Sequence, residues 1–398
     1  MAANRIPSYG VDFWSDDVIL NPYPHYEAMR ATGSAVWLTQ NNAWALTRYE
    51  TVRRALLQPE IFSSAKGCMM NEPMNTATQG IMLCSDDPQH LAMRRLFAKP
   101  LQPKELSALR PRLASLAEAK VEELVARGSM EAVKDLAHYL PLAVVTELVG
   151  LDEEGRDRML YWAAGIFDAF GPLGNPRTMT GLDIAQQVIG YVLERVKRSN
   201  MVPGGWGEAL FSAADDGLIT EHTARMMLVD YLTPSLDTTI NATSAAIELF
   251  ANNPDQWDKL RSDPTLIPHA INEVVRIESP IRAFARESVR EHQVDGVNIP
   301  VGSRVLMLYA CANRDDEKYP DPERFDIGRK PSDHLGFGTG THFCAGMHLA
   351  KLEITVLLEA LSRRVARFIA ANPQRRPHNT LRGLASLDVQ LIASGDRK

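Results

Sequence analysis

The chain has 398 residues, of which 45% are hydrophobic and 23% charged, as in ordinary globular proteins. Its net charge of -6 and the lack of a long lysine or arginine run argue against nucleic-acid binding. No stretch approaches the roughly 18 apolar residues that span a bilayer, and residues 1–7 contain no apolar signal core. We expect a monomeric cytoplasmic protein, free of membrane and nucleic acid, that folds as one domain over residues 1–398.

In chain order, the first predicted element is a hairpin, with strands over 35–38 and 43–47 joined through Asn41-Asn42. From about 88 to 250 the pattern is mainly helical. One helix is indicated by an apolar stripe that ends at Gly128; its members are Leu113, Leu116, Ala117, Val121 and Leu124. A second hairpin is predicted over 292–308 and a strand over 380–393. The sequence thus predicts a mainly α protein with small peripheral β-sheets (α+β).

The four cysteines are widely spread, at Cys68, Cys84, Cys311 and Cys344. They form no CxxC pair, so their spacing fits neither a zinc site nor a disulfide framework. We expect the first three to be ordinary thiols. Only Cys344 has glycine-rich surroundings.

Cys344 closes a glycine-punctuated loop directly before a predicted helix, whose apolar positions are Leu349, Leu352, Val356 and Ala360. Free N–H groups and the positive end of the helix dipole favour a thiolate there. Gly340 and Gly346 remove side-chain bulk, so a flat, wide ligand can approach the backbone. A shielded thiolate with this clearance suits the axial position of an iron porphyrin. The alternative is a buried structural cysteine.

This loop resembles the Phe-x-x-Gly-x-x-x-Cys-x-Gly signature of the cytochrome P450 haem-thiolate monooxygenases, matched at Phe337, Gly340, Cys344 and Gly346. The resemblance extends from about residue 21 to the C-terminus. It implies the cytochrome P450 fold, with haem b bound through Cys344 as the iron ligand. It also implies the partners of the two haem propionates, which are His90, Arg94, Arg286 and His342. Taken singly, each of these four reads as a solvated surface charge.

Glu273 and Arg276 are three apart on a predicted helix, a spacing that usually gives a surface ion pair. In the family that pair is buried with a third arginine from a Pro-Glu-Arg-Phe segment. The chain has this segment at 322–325, so the resemblance implies a structural triad completed by Arg324.

A long helix over about 223–250 is predicted to cross the haem face opposite the cysteine. By resemblance, Asp237 and Thr238 are the acid and alcohol that deliver protons during oxygen activation. Pro234 and Ser235 depart from the family pattern of a small residue followed by glycine. Proline lacks an N–H and crowds the carbonyl four residues earlier, so a kink that opens an oxygen groove is expected. The alternative is that the helix starts afresh.

Within the family, the chain resembles bacterial enzymes that oxidise para-substituted benzoic acids. The resemblance implies a substrate pocket lined by Phe167, Phe170, Val229, Asp230, Thr233 and Phe284. The phenylalanines suit an aromatic ring, although plain core packing explains each one equally well. Val229 and Asp230 stand where those enzymes have arginine and serine. A buried aspartate repels a carboxylate, so we expect a small phenol or aryl ether, hydroxylated or O-demethylated; Lys66 offers an anion partner from the loop side.

The chain has no flavin or nicotinamide fingerprint and no iron–sulfur cysteine set. Electrons are therefore expected from a ferredoxin with its NAD(P)H-dependent reductase. An acidic ferredoxin would meet a basic patch formed by Arg94, Arg95, Lys99, Lys104, Arg110 and Arg112, although each also reads as part of a solvated helix face. The leading hypothesis is an O2-dependent monooxygenase. A peroxide-driven enzyme and a non-catalytic haem protein are the alternatives, and retention of the Asp237-Thr238 pair speaks against both.

Overall fold

The computed structural model describes residues 6–149, 151 and 153–395, apart from the side chains of 146–148. Of residues 1–7, in which the sequence predicts no signal core, 1–5 lie outside the described residues. No described helix is both long and apolar enough to cross a membrane.

Helices make up most of the regular structure. In chain order they are α1 (Asp16–Leu20), α2 (Tyr23–Thr32), α3 (Tyr49–Leu56), α4 (Glu72–Ala77), α5 (Gln89–Ala98), α6 (Pro103–Arg127), α7 (Tyr139–Val149), α8 (Glu153–Ile166), α9 (Pro176–Gly190), α10 (Trp206–Asp215), α11 (Glu221–Leu232), α12 (Asp237–Asn252), α13 (Pro254–Ser262), α14 (Ile267–Glu278), α15 (Tyr309–Ala312) and α16 (Met347–Arg364).

The strands are short apart from two near the C-terminus. They are β1 (Ser8–Tyr9), β2 (Ala35–Leu38), β3 (Ala43–Leu46), β4 (Phe62–Ser63), β5 (Ser129–Glu131), β6 (Phe284–Ser288), β7 (His292–Val294), β8 (Val297–Ile299), β9 (Arg304–Met307), β10 (Val365–Arg375) and β11 (Leu384–Ala393). They form three sheets, in the orders β1-β2-β3-β9-β6-β4, β10-β11-β5 and β7-β8. The predicted mainly α protein with small sheets is confirmed.

The first predicted hairpin is present as the antiparallel pair β2–β3. The second is only partly right, because β7 pairs with β8 while β9 joins the large sheet between β3 and β6. The predicted C-terminal strand is β11, and its antiparallel partner β10 was not predicted.

The long helix α6 follows its predicted stripe, with Leu113, Ala117, Val121 and Leu124 buried. It ends where Gly128 takes φ 75°, a left-handed conformation that lets the last carbonyls be capped. This helix packs against α16, the helix that follows the cysteine loop. The packing of α6 against α16 thus fixes the position of the helix that directly follows the cysteine loop.

Candidate active site

The cysteine loop is shaped by close backbone approaches. Gly340 has φ 72°, and a Cβ there would lie 2.7 Å from the carbonyl oxygen of Leu56 at the end of α3. The N–H of Cys344 donates to the Phe337 carbonyl at 2.8 Å, which closes the loop. Gly346 then directly precedes α16, and a Cβ there would meet nothing within 4 Å. The loop is therefore tightly held on one side and open beside the cysteine.

At the Cys344 thiol, burial and local charge act in opposite directions. Burial has the largest effect and raises its pKa, whereas the N–H groups of Gly346 and Met347 and the cations Arg94 and Lys351 lower it. The sequence led us to expect that the helix N-terminus would favour the thiolate, but burial outweighs that contribution. A coordinated metal ion deprotonates such a thiol.

The four predicted propionate partners come from three segments and lie near one another. His90 and Arg94 are on α5, Arg286 is in β6, and His342 is in the cysteine loop. The ring centroids of His90 and His342 are 4.3 Å apart, and the charge of Arg286 acts on the His342 ring. Arg94 Nη2 donates to the Phe343 carbonyl at 2.5 Å. The structure thus brings together what the sequence shows as scattered charges.

Both imidazoles have a buried nitrogen without a hydrogen-bond partner among the described residues, namely Nε2 of His90 and Nε2 of His342. Burial is the main cause that lowers the pKa of both rings, that of His342 to about 2. Each Nε2 can donate a hydrogen bond to a bound oxygen when it carries a proton. Leaving such a group unsatisfied costs roughly 1–3 kcal/mol. An acceptor bound beside these rings would remove that cost.

These residues fit a haem group. Two guanidinium groups and two imidazoles with free nitrogens match the need of two propionates for several donors. The Cys344 thiol supplies a soft ligand of the kind that holds haem iron, and the open space at Gly346 leaves room beside it. The ring of Phe337 is half-buried, and its centroid lies 5.3 Å from Nζ of Lys351.

The predicted ion-pair triad requires a correction. Glu273 and Arg276 are fully buried and are joined by two hydrogen bonds. Nε of Arg276 donates to Oε2 of Glu273 at 2.7 Å, and Nη2 donates to Oε1 at 2.9 Å. The third cation is Arg329, whose Nε lies 3.2 Å from Oε1 of Glu273. The side chain of Arg324 is exposed, and this residue contributes only its carbonyl, 3.4 Å from Nη2 of Arg276. The Pro-Glu-Arg-Phe segment therefore supplies backbone, and the arginine five residues later supplies charge.

The predicted long oxygen helix is broken in two. Helix α11 ends at Leu232 and α12 begins at Asp237, so the alternative that the helix starts afresh is what the structure shows. Pro234 has no N–H to continue α11. The Thr238 hydroxyl instead donates to the Pro234 carbonyl at 2.7 Å, across the break. The expected kink is thus a full interruption of four residues, 233–236.

Asp237 is buried in the first turn of α12, near charges that the sequence did not reveal. Burial raises its pKa to about 6; Arg376 lowers the pKa and Asp168 raises it. The pKa of Asp168 is itself raised to about 6, mainly by burial. Asp168 and Arg376 both line a surface cavity of about 340 Å³. The acid predicted for proton delivery therefore interacts with groups that reach the protein surface.

The predicted aromatic pocket residues form one cluster. The ring centroids of Phe167 and Phe170 are 5.4 Å apart, and those of Phe170 and Phe284 are 6.1 Å apart. Phe284 also contacts Tyr309, at 6.1 Å and nearly perpendicular. Phe167 and Phe170 are buried whereas Phe284 is half-buried.

The loop that bears Phe170 is tied to the segment that precedes α4. The N–H of Met70 donates to the Phe170 carbonyl at 2.9 Å. Nδ2 of Asn71 donates to the carbonyls of Ala169 and Gly171, at 2.6 and 2.8 Å. The segment before α4 is therefore bonded directly to the loop that bears Phe170, one of the predicted pocket residues.

The polar pocket candidates lie at the end of α11. Asp230 is buried, and its Oδ2 accepts from the N–H of Met82 at 3.2 Å. Burial raises its pKa to about 7 although backbone N–H groups lower it. Thr233 donates its hydroxyl to the carbonyl of the buried Val229 at 2.9 Å. Lys66 is exposed, so its side chain is not among the buried groups that could meet an anion here.

Comparison with known proteins agrees with this fold. The Cytochrome P450 family model matches residues 208–386. A relative named Cytochrome p450 CYP199A2, from Rhodopseudomonas palustris, is 38% identical over 97% of this chain and 95% of its own length. A steroid C26-monooxygenase of Mycobacterium tuberculosis is 31% identical, with 93% of each chain covered. The chain belongs to the cytochrome P450 family.

A solved structure gives the same result for the fold. P450BioI, in complex with an acyl carrier protein ligated to hexadec-9Z-enoic acid, superposes with a TM-score of 0.86. It is 26% identical, and the match covers 95% of this chain and 99% of that one. The protein is a cytochrome P450 monooxygenase whose cofactor is haem b, as the resemblance implied.

Proposed function

We propose that Cys344 would ligate the haem iron and that His90, Arg94, Arg286 and His342 would hold the propionates. The observation that carries this proposal is the pair of unpartnered buried nitrogens on His90 and His342, next to the cysteine loop. The bound haem would supply activation of O2 and transfer of one oxygen atom to an organic substrate.

The test is the spectrum of the reduced protein under carbon monoxide. Thiolate ligation shifts the main band to longer wavelength than imidazole ligation does. We expect the thiolate band in the wild type and its loss in Cys344→Ser, whereas Cys311→Ser should keep it. A band like that of an imidazole-ligated globin in the wild type would contradict the proposal.

We propose that Asp237 and Thr238 move protons to the reaction site. A carboxyl with a pKa of about 6 exchanges its proton near neutral pH, which a relay requires. The Thr238 hydroxyl donates to Pro234, so its oxygen lone pairs stay available to accept from an acid or water. The charges of Arg376 and Asp168 connect this pair to a surface cavity.

We propose a small aromatic substrate, such as a phenol or an aryl ether, that is hydroxylated or O-demethylated. The cluster of Phe167, Phe170 and Phe284 supports an aromatic ring. When it is ionised, above its pKa of about 7, the buried carboxyl of Asp230 disfavours a carboxylate close by, since no cation lies within ion-pair distance among the described residues. A screen of the haem spin-state shift should show stronger responses to phenols and aryl ethers than to benzoates, and the reverse order would overturn this assignment.

We propose that a ferredoxin, reduced by its NAD(P)H-dependent reductase, docks on the face formed by α5 and α6. Arg95, Lys99 and Lys104 are exposed there, and α6 packs against α16, which begins beside Cys344. Phe343, next to the cysteine, is also 37% exposed.

Charge reversal at Lys99→Glu should slow reduction by an acidic ferredoxin at low salt, because steering is lost. The exposed Arg290→Glu, in the turn after β6, should not. Equal effects of the two changes would contradict docking on α5 and α6. Monomeric state and cytoplasmic location are part of the same proposal.

A further inference from the structure

Two of the cysteines that the sequence leaves unremarkable are neighbours in the fold. Cys68 and Cys84 are both free and buried, and each is among the groups that shift the pKa of the other. The Cys68 thiol also donates to the carbonyl of Leu83 at 3.2 Å, the residue directly before Cys84. The two residues are therefore neighbours in the fold, although sixteen positions separate them along the chain.

The surroundings of the pair make the two thiols chemically unequal. Nη1 of Arg286 lies 3.6 Å from the sulfur of Cys68. Hydrogen bonding from Cys84 and the charge of Arg286 bring the pKa of Cys68 down to about 7, whereas the pKa of Cys84 is raised. The sulfur of Cys84 lies 3.4 Å from Thr78 Oγ1 and 3.8 Å from Met69 Sδ, both of which are neutral groups. Such a pair has an attacking thiolate and a second thiol within reach of it.

We propose that Cys68 and Cys84 are a redox-active dithiol that a hydroperoxide converts to an intramolecular disulfide. The proximity of the two cysteines and the guanidinium beside one sulfur carry this inference. The proposal rests on the proposed function only for the natural source of the oxidant. When O2 gains two electrons and no substrate is oxidised, the product is hydrogen peroxide.

The chemistry balances in two steps. The Cys68 thiolate attacks one peroxide oxygen, the O–O bond breaks, and a sulfenic acid forms while the other oxygen leaves as water after taking a proton. The Cys84 thiol then attacks that sulfur and expels the second oxygen as water. In total, two thiols and one hydrogen peroxide give one disulfide and two water molecules, so each sulfur loses one electron and each oxygen gains one.

The cross-link would act on the segment between the two cysteines. This segment includes α4 and Asn71, which bonds to the carbonyls of Ala169 and Gly171 beside the aromatic cluster. Met82, whose N–H binds Asp230, is also within it. A disulfide would fix both ends of the segment and restrict its opening. Oxidation is therefore expected to slow substrate entry.

The test uses the purified ferric haem protein with a few equivalents of hydrogen peroxide. We expect peptide mass mapping under denaturing, thiol-blocking conditions to find Cys68 and Cys84 in one cross-linked species that has lost two hydrogen atoms. Dithiothreitol should reverse the loss. Stopped-flow measurement should show a several-fold slower spin-state response to substrate after oxidation and recovery after reduction.

Cys311→Ser is the matched control, since Cys311 is equally buried and also lies 3.6 Å from a guanidinium nitrogen, that of Arg30. Its variant should form the cross-link as the wild type does, whereas Cys84→Ser should stop at a modified Cys68. Mapping of the wild type alone decides the point if Cys84→Ser does not fold. Retention of both thiols, or oxidation of Cys311 at the same rate, would overturn the proposal. Because the peroxide is added, this result does not depend on monooxygenase activity.

Discussion

Nε of Arg329 lies 3.2 Å from Oε1 of Glu273, the carboxylate that Arg276 already holds through both of its oxygens. Glu273 is fully buried and therefore shares its charge between two arginines. The N–H of Asp326 adds a further bond to the same oxygen, at 3.2 Å. A single carboxylate thus links α14 to the segment that leads into the cysteine loop.

This arrangement predicts unequal effects for two nearby arginines. Arg329→Ala should lower the free energy of unfolding by about 1–3 kcal/mol, because a buried carboxylate oxygen loses one partner. Arg324→Ala should change it by less than about 0.5 kcal/mol, because its side chain is exposed. Urea titration followed by circular dichroism measures both. A larger loss for Arg324→Ala would restore the assignment made from the sequence.

The imidazole pair predicts a specific loss of haem affinity. His342→Ala and His90→Ala should each speed haem transfer to apomyoglobin by about 10-fold or more, as expected when a group that orients a bound cofactor is removed. His348→Ala is the control, because this histidine is exposed and lies in the first turn of α16, four residues after Cys344. If His348→Ala releases haem as fast as the other two, the two rings do not hold the cofactor.

The proton-delivery pair predicts a selective loss of turnover. Asp237→Asn keeps the shape of the side chain but cannot exchange a proton near neutral pH, so NAD(P)H-driven product formation should fall by roughly 10²–10⁴-fold. Hydrogen peroxide already carries its protons, so peroxide-driven turnover should fall much less. The exposed Asp255→Asn serves as the control. An equal loss with both oxidants would indicate that Asp237 only supports the fold.

The buried carboxyl of Asp230 predicts a pH-dependent stability. Its pKa is about 7, against 3.8 for the free group, so the folded protein holds this proton more tightly than the unfolded chain does. The stabilisation is complete below pH 3.8 and is lost as the pH rises through about 7. As the pH rises from 4 to 8, the free energy of unfolding of Asp230→Asn should therefore increase by about 2–4 kcal/mol relative to that of the wild type. Parallel stability curves for both proteins would contradict a buried, uncompensated carboxyl.

Much of the fold followed from the sequence because local patterns and packing agree. The stripe on α6, its end at Gly128 and the hairpin β2–β3 were all readable from periodicity and turn residues. The pairing of β9 with β3 and β6 was not, because long-range partners leave no local signal. The break at Pro234 lay between these cases: proline indicated a disturbance but not its extent.

The candidate site divides in the same way. The cysteine loop could be recognised, and four haem-binding partners proposed, because the motif and the residue types are present in the chain. Arg329 was missed because the Pro-Glu-Arg-Phe segment indicated Arg324 instead. The folded structure, and not the segment, determines which arginine reaches the carboxylate of Glu273. The proximity of Cys68 to Cys84, and of Asp168 to Asp237, results from segments that meet only in the folded chain.

The break between α11 and α12 also has a consequence for water. The first amides of a helix have no carbonyl one turn earlier to bond with, so those of Asp237 and Thr238, at the start of α12, have no partner within the helix. An unbroken helix would have used them internally. The interruption therefore leaves two backbone N–H groups that can bind an ordered water molecule beside the carboxyl of Asp237.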